Sequence, residues 1–300
     1  MLKSAIRKLL ARSLAYGIPK GIYYDARFFE MWQSRGIHIT PVSFYEPVPD
    51  TRTLNDEVWT RTSALSGIDM HESMQLDLLS EFGRLYKHEY QNGLIDGERS
   101  TDWEVLYCMI RHYKPRRIIE VGAGLSTRFA ACAITRNSAE TGTPSTLMTI
   151  DPFPREAVRK GFPGLSELRA VKVQEVALEE FEALEENDIL FIDSSHVLKI
   201  GSDVQYLYLE VIPRLQKGVV VHAHDIFFPR EYHREWVMDL KIFWNEAYLL
   251  QAFLAFNSVF QVLWSSSFLS HGHPQLLHQS FDSCKLGEDT CSSLWMQRVR

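Results

Sequence analysis

The chain has 300 residues, 45% hydrophobic and 23% charged, enough apolar material for one large α/β domain or one domain with additions. Its formal net charge of −6 lacks the basic excess of a nucleic-acid-binding protein, and no apolar run reaches the about 18 residues of a membrane-spanning helix. A small-molecule or protein substrate fits that balance better than nucleic acid, and the absence of a signal-peptide pattern makes a cytoplasmic protein the expectation.

Residues 1–98 show no strand–helix rhythm and read as an N-terminal helical cap. The first twenty place Lys3, Arg7, Lys8, Arg12 and Lys20 around Ile6, Leu9, Leu10 and Leu14. That pattern is compatible with a membrane-surface helix but suits a docking or oligomer helix better, so a homo-oligomer is left open. The proline-rich stretch at 40–50 is expected to be extended, because proline restricts the residue before it. Helical patterning resumes around residues 70–90.

Residues 99–300 read as the second unit. Thr101 and Glu104 have capping-box spacing and open a helix through Val105, Leu106, Met109 and Ile110. Strands follow at 117–121, 145–151, 170–174, 188–193 and 218–225, with helices between them. Val204, Leu207, Val211 and Leu215 mark the helix before the last of these. Near-continuous apolar strands alternating with helices mean a parallel sheet covered on both faces. A long helical stretch at 231–257 then precedes β-rich runs at 259–264 and 292–299, expected to form a closing antiparallel hairpin. Cys108 and Cys132 read as small buried hydrophobes; Cys284 and Cys291 lie seven apart, and no CxxC pair points to zinc.

Each strand end carries a polar residue where an open α/β sheet binds its ligand. Glu120 precedes the Gly122-Ala123-Gly124 turn, whose glycines allow close backbone approach and whose following helix, with Ser126 and Thr127, offers free N–H groups. Thr127 fills the third glycine slot of a dinucleotide fingerprint, which disfavours a nicotinamide-dependent oxidoreductase. Asp151 ends the second strand, placed to accept hydrogen bonds from ribose hydroxyls.

Together, Ile119-Glu120-Val121-Gly122-Ala123-Gly124, Thr149-Ile150-Asp151-Pro152 and Asp188-Ile189-Leu190-Phe191-Ile192-Asp193 resemble the successive motifs of class I S-adenosylmethionine-dependent methyltransferases. Phe191-Ile192-Asp193-Ser194-Ser195-His196-Val197 and His222-Ala223-His224-Asp225 resemble the bacterial type 24 methyltransferase group, a relative of catechol-type O-methyltransferases. The resemblance implies a Rossmann-like sandwich, mostly parallel with a C-terminal antiparallel hairpin. It implies S-adenosylmethionine as cofactor, its methionine part held by Glu120, Gly122 and Gly124, its ribose by Asp151, and its adenine near Glu175. Ser126, Thr127 and Asp193 complete the expected cofactor set.

The resemblance also points to Asp193, His224 and Asp225 as candidate ligands of a divalent metal. Histidine in that set disfavours magnesium and suits a transition metal. The same residues fit a metal-free enzyme in which His196 or His224 takes the acceptor's proton while Asp193 or Asp225 orients the imidazole. A cofactor-binding protein repurposed away from methyl transfer is the other reading left open.

Overall fold

Seven strands form one sheet in the computed structural model, which describes residues 26–91, 100–286 and 291–300. They are β1 Arg117–Val121, β2 Thr146–Ile150, β3 Glu167–Arg169, β4 Ile189–Ile192, β5 Val220–Ala223, β6 Phe260–Ser265 and β7 Leu294–Arg298. Their order across the sheet is β3-β2-β1-β4-β5-β7-β6. The first five run parallel, and β7 inserts antiparallel to both β5 and β6. The order reverses between β1 and β4, the place where open sheets of this kind leave a crevice beyond the strand ends.

Alternation along the strands feeds two cores. Ile118, Ile189, Phe191 and Val220 go to one, while Ile119, Val121, Leu190, Ile192 and Val221 go to the other. The expected parallel sheet covered on both faces is therefore present. Helix α1 (Glu72–Leu85) buries Leu78, Leu79 and Phe82, and the Phe82 ring lies 5.7 Å from that of Trp264 on β6. That packing draws residues 72–85 into the main body. The chain divides into two compact units, Met1–Asn55 and Asp56–Arg300, so the second begins well before the expected boundary. In the first unit a helix spans Ala26–Gln33, and Phe29 stacks on His38 at 5.1 Å. The basic and apolar residues expected to form a docking helix there lie outside the described residues.

Helix α2 (Thr101–Tyr113) starts one residue earlier than its sequence suggests: Ser100 is the cap, its Oγ accepting from the Asp102 N–H at 3.3 Å. Helix α3 (Leu125–Thr141) follows the glycine turn. The expected third strand at 170–174 is displaced. Pairing occurs at β3, whereas Val173 sits in a 3-10 turn because its side chain is needed as a core plug, 3% exposed. Helix α4 (Asp203–Tyr206) is capped by Ser202 and widens into a π turn at Leu207–Val211.

The long helix expected at 231–257 is two helices, Arg234–Met238 and α5 (Glu246–Leu254). Lys241, at φ +59, takes the left-handed conformation that a right-handed helix does not contain. The terminal hairpin is antiparallel as expected, with Trp264 opposite Trp295, but helices Ser266–Gly272 and Pro274–Ser280 fill the connection. Among the described residues no helix is long and apolar enough to cross a membrane.

Candidate active site

Two cavities open beside the carboxyl ends of the parallel strands. The first, about 450 Å³, is bounded by Gly122 after β1, Asp151 and Phe153 after β2, Val173 and Gln174, and Asp193 after β4. Its backbone is fixed by one close approach. Gly122 stands at φ +94, and a Cβ there would lie 1.8 Å from the Asp193 carbonyl oxygen. Glycine is required by the neighbouring chain, before any ligand is considered.

The carboxylates of this side are already engaged. Glu120 is 1% exposed and accepts from the hydroxyls of Ser126 and Thr149, each at 2.7 Å. It braces the start of α3 against β2 and does not line the cavity, contrary to the ligand contact expected of it. Burial raises its carboxyl to about 7, against the lowering effect of the Ser126, Thr149 and Thr127 side chains. Ser126 and Thr127 are also buried, and Thr127 Oγ1 accepts from the Gly124 N–H at 3.1 Å. Asp151 does face the cavity, with Oδ2 accepting from Ala123 N–H at 2.9 Å and Oδ1 from Phe153 N–H at 2.6 Å. Each of those oxygens retains a lone pair for a further donor. Glu175 is off the cavity wall; Val173 and Gln174 occupy the position expected of it.

At the ends of β4 and β5 the polar groups converge. His196 Nε2 lies 3.2 Å from Asp193 Oδ1 and 3.6 Å from Asp225 Oδ2, and its Nδ1 lies 2.8 Å from Glu246 Oε2. Both His196 (φ +58) and Asp225 (φ +56) hold left-handed backbone conformations, a strain that side-chain-bearing residues adopt where the surroundings impose it. Among the described residues, Asp193, His196 and Asp225 are the group able to offer three ligand atoms to one metal ion, all within 4.8 Å of one another. One imidazole nitrogen and two carboxylates are a donor set that suits a divalent transition ion. His224, expected in that set, is displaced from it. Its Nδ1 is 4.0 Å from Asp193 and 3.3 Å from Asp225 without hydrogen-bond geometry, and its ring lies flat on Trp103 at 5.1 Å and 15°.

Electrostatics assign the protons. Burial opposes charge on His196, but hydrogen bonds to Asp193 and Glu246 and the charges of Glu246 and Asp225 outweigh it and raise the imidazole to about 10. Burial is likewise outweighed at His224, raised to about 9 beside Asp225, Asp193 and Asp102. Asp225 is held below the usual carboxylate range, its burial overcome by the two imidazoles and Ser292. With no metal bound, the surrounding carboxylates therefore shift both imidazoles toward the protonated form, which works against the proton-accepting role expected of them from the sequence. His222, inside β5 and stacked on Phe191 at 4.0 Å, is pushed the other way by burial and stays neutral.

The second cavity, about 580 Å³, opens on the other side of Asp225. Trp103, Phe227 and Trp236 give it aromatic walls, and Asp102, His224, Asp225 and Ser292 give it a polar floor. Asp102 ties α2 to β7, accepting from the N–H groups of Ser292 (2.8 Å) and Ser293 (3.0 Å). The sequence pattern does not single out Asp102, Trp103 or Glu246. The partners of Asp102 and Glu246 are 190 and 50 residues away in sequence, so only the folded chain reveals them.

Residues 119–226, from β1 to just beyond β5, match the family model described as a methyltransferase domain. An uncharacterised protein of Archaeoglobus fulgidus is 29% identical over 168 residues, half of this chain and 75% of that one. Solved structures similar to the chain include the O-methyltransferase TomG of Streptomyces achromogenes in complex with SAM (12% identity, 75% and 90% of the two chains, TM-score 0.41). An O-methyltransferase of Bacillus cereus in complex with SAH is 15% identical, with 75% and 91% covered and a TM-score of 0.37. The methyltransferase-domain match spans the glycine turn, Asp151, Asp193, His196, His224 and Asp225, and the strand order is that of the Rossmann-like class I sandwich expected from the resemblance.

Proposed function

We propose that the chain transfers the methyl group of S-adenosylmethionine to a hydroxyl oxygen of a small-molecule acceptor. One observation carries the reading. Asp193 lines the first cavity, Asp225 lines the second, and His196 Nε2 stands between their carboxylates at 3.2 and 3.6 Å. A donor in one cavity and an acceptor in the other would meet at that cluster.

In the first cavity Asp151 accepts the ribose hydroxyls through its remaining lone pairs, while Phe153, Val173 and Gln174 enclose the base. Gly122 lends a backbone surface without a side chain. Gly124 is open: the nearest atom to where its Cβ would stand is Ser126 Oγ at 3.9 Å, which leaves room for the methionine part. Glu120 acts at one remove, holding Ser126 and Thr149 so that the turn keeps its shape. The sulfonium is a reactive methyl donor, so the protein's task is to align donor and acceptor and to manage one proton.

In the second cavity the aromatic walls hold the acceptor's apolar body and exclude water. Asp193, His196 and Asp225 would hold a divalent cation, which when bound lowers the pKa of an acceptor hydroxyl and orients its oxygen. His224, flat against Trp103 and 4.0 Å from Asp102, borders the acceptor rather than the ion.

The test is release of S-adenosylhomocysteine from S-adenosylmethionine with a panel of small hydroxyl compounds and their matched amines, read by mass spectrometry. An O-methylated product supports the reading. Turnover with amines alone would overturn the hydroxyl assignment, and binding of the cofactor without turnover on any acceptor would return the chain to a repurposed binding protein.

A further inference from the structure

Glu246 opens α5, is 1% exposed, and receives Nδ1 of His196 at 2.8 Å. The same helix start grips the His196 backbone: its carbonyl accepts from the N–H groups of Asn245 (3.1 Å) and Glu246 (3.2 Å). Asn245 Oδ1 takes the Leu198 N–H at 2.6 Å, and the Trp244 ring packs 4.2 Å from the imidazole. The residue so held stands at φ +58. These contacts fix the ring, and Nε2 is left facing Asp193 and Asp225.

We propose that Glu246 is a positioning residue that makes His196 Nε2 a metal ligand beside Asp193 and Asp225, and that this nitrogen selects manganese, cobalt or zinc over magnesium. The inference rests on the reading above that the cluster holds a cation. A metal-bound imidazole usually donates its other N–H to a carboxylate, which fixes the ring orientation and the tautomer and strengthens the ligand. Glu246 meets that description in distance and burial. Magnesium wants oxygen ligands in a near-ideal octahedron, whereas imidazole nitrogen favours the later first-row ions. A buried carboxylate on the outer nitrogen thus turns an acid pair at two strand ends into a mixed nitrogen–oxygen site.

The test uses the full-length, metal-stripped protein titrated with Co²⁺ and, separately, Mg²⁺, followed by visible absorption and calorimetry. The wild type is expected to bind Co²⁺ at least about tenfold tighter than Mg²⁺, on account of the imidazole preference. Glu246→Gln should weaken Co²⁺ by roughly 10- to 100-fold and change its d–d absorption, while S-adenosylhomocysteine binding moves less than about twofold. His196→Gln provides the second variant. It should lose the same absorption feature, so that unfolding of one variant does not decide the matter. Equal affinity of the wild type for both ions would overturn the inference, as would an unchanged Co²⁺ spectrum in folded Glu246→Gln or in His196→Gln. Failure to bind either ion with S-adenosylhomocysteine binding intact would remove the metal and this inference while leaving methyl transfer standing. Loss of S-adenosylhomocysteine binding in the wild type would be a failure of the functional reading instead.

Discussion

The ends of β1 and β2 and the ends of β4 and β5 both carry polar groups but use them differently. At β1 and β2 the groups serve the chain itself. Glu120 is spent on two hydroxyls, Asp151 on two backbone N–H groups, and Gly122 exists because the Asp193 carbonyl passes 1.8 Å from where a Cβ would stand. At β4 and β5 the acids face imidazoles and a wide cavity, and two residues accept left-handed strain to be there. A motif read as ligand-binding can thus be largely a folding requirement. The groups with capacity to act on a substrate are those whose charges are balanced only by each other.

That contrast breaks most readily at Gly122. Gly122→Ala should destabilise the protein by several kcal/mol, on the order of 4 or more for a backbone clash in a φ-positive turn. Thermal denaturation checks it: a melting temperature within about 2 °C of the wild type, less than about 1 kcal/mol at this size, would show that the glycine serves a ligand and not the chain. Asp225→Asn sharpens the other side. It should cut turnover by roughly 100-fold or more, the scale of losing a charge that stabilises the reacting oxygen. S-adenosylhomocysteine binding should be little changed, because Asp225 does not line the first cavity. Equal losses in turnover and cofactor binding would merge the two regions into one.

The buried titratable groups extend the contrast to pH, with smaller effects. The metal-free protein holds His196 raised to about 10, against about 6.5 unfolded. A raised imidazole stabilises fully below about pH 6.5, and that contribution is lost as pH rises through 10. His196→Gln should therefore flatten the alkaline fall in stability measured by denaturant melts in the presence of chelator. Glu120 is raised to about 7 from 4.5, so its contribution is present at acid pH and declines between about 4.5 and 7. Glu120→Gln should remove that decline. A variant curve parallel to the wild type in the same window would mean that Glu120 ionises freely and belongs with the active acids.

How much of the molecule is legible in its sequence follows from range. The parallel strands show in apolar runs such as Ile189-Leu190-Phe191-Ile192, because burial on both faces writes itself locally. The turn glycines, Asp151, Asp193, His196 and Asp225 follow from position at strand ends. The third strand is misplaced by pattern because Val173 looks the same whether it pairs or plugs a core. The helix at 231–257 is over-extended by pattern because no glycine or proline marks the Lys241 break. Glu246 reads as an ordinary helix-start acid; only its meeting with His196, 50 residues earlier, gives it a role. Glu120 reads as a ligand contact from its place beside the glycines, yet its partners, Ser126 and Thr149, turn it inward. Spacing finds the residues at the sheet edge, and packing decides which of them remain available.

The proposed methyl transfer depends on the first cavity holding S-adenosylmethionine. Calorimetric titration with S-adenosylhomocysteine, run beside NADH on the same protein and on Asp151→Ala, tests this most directly. The expected result is saturable binding of one equivalent of S-adenosylhomocysteine, lost on Asp151→Ala, and none of NADH. Binding of NADH in its place, or of neither ligand by the folded protein, would contradict it.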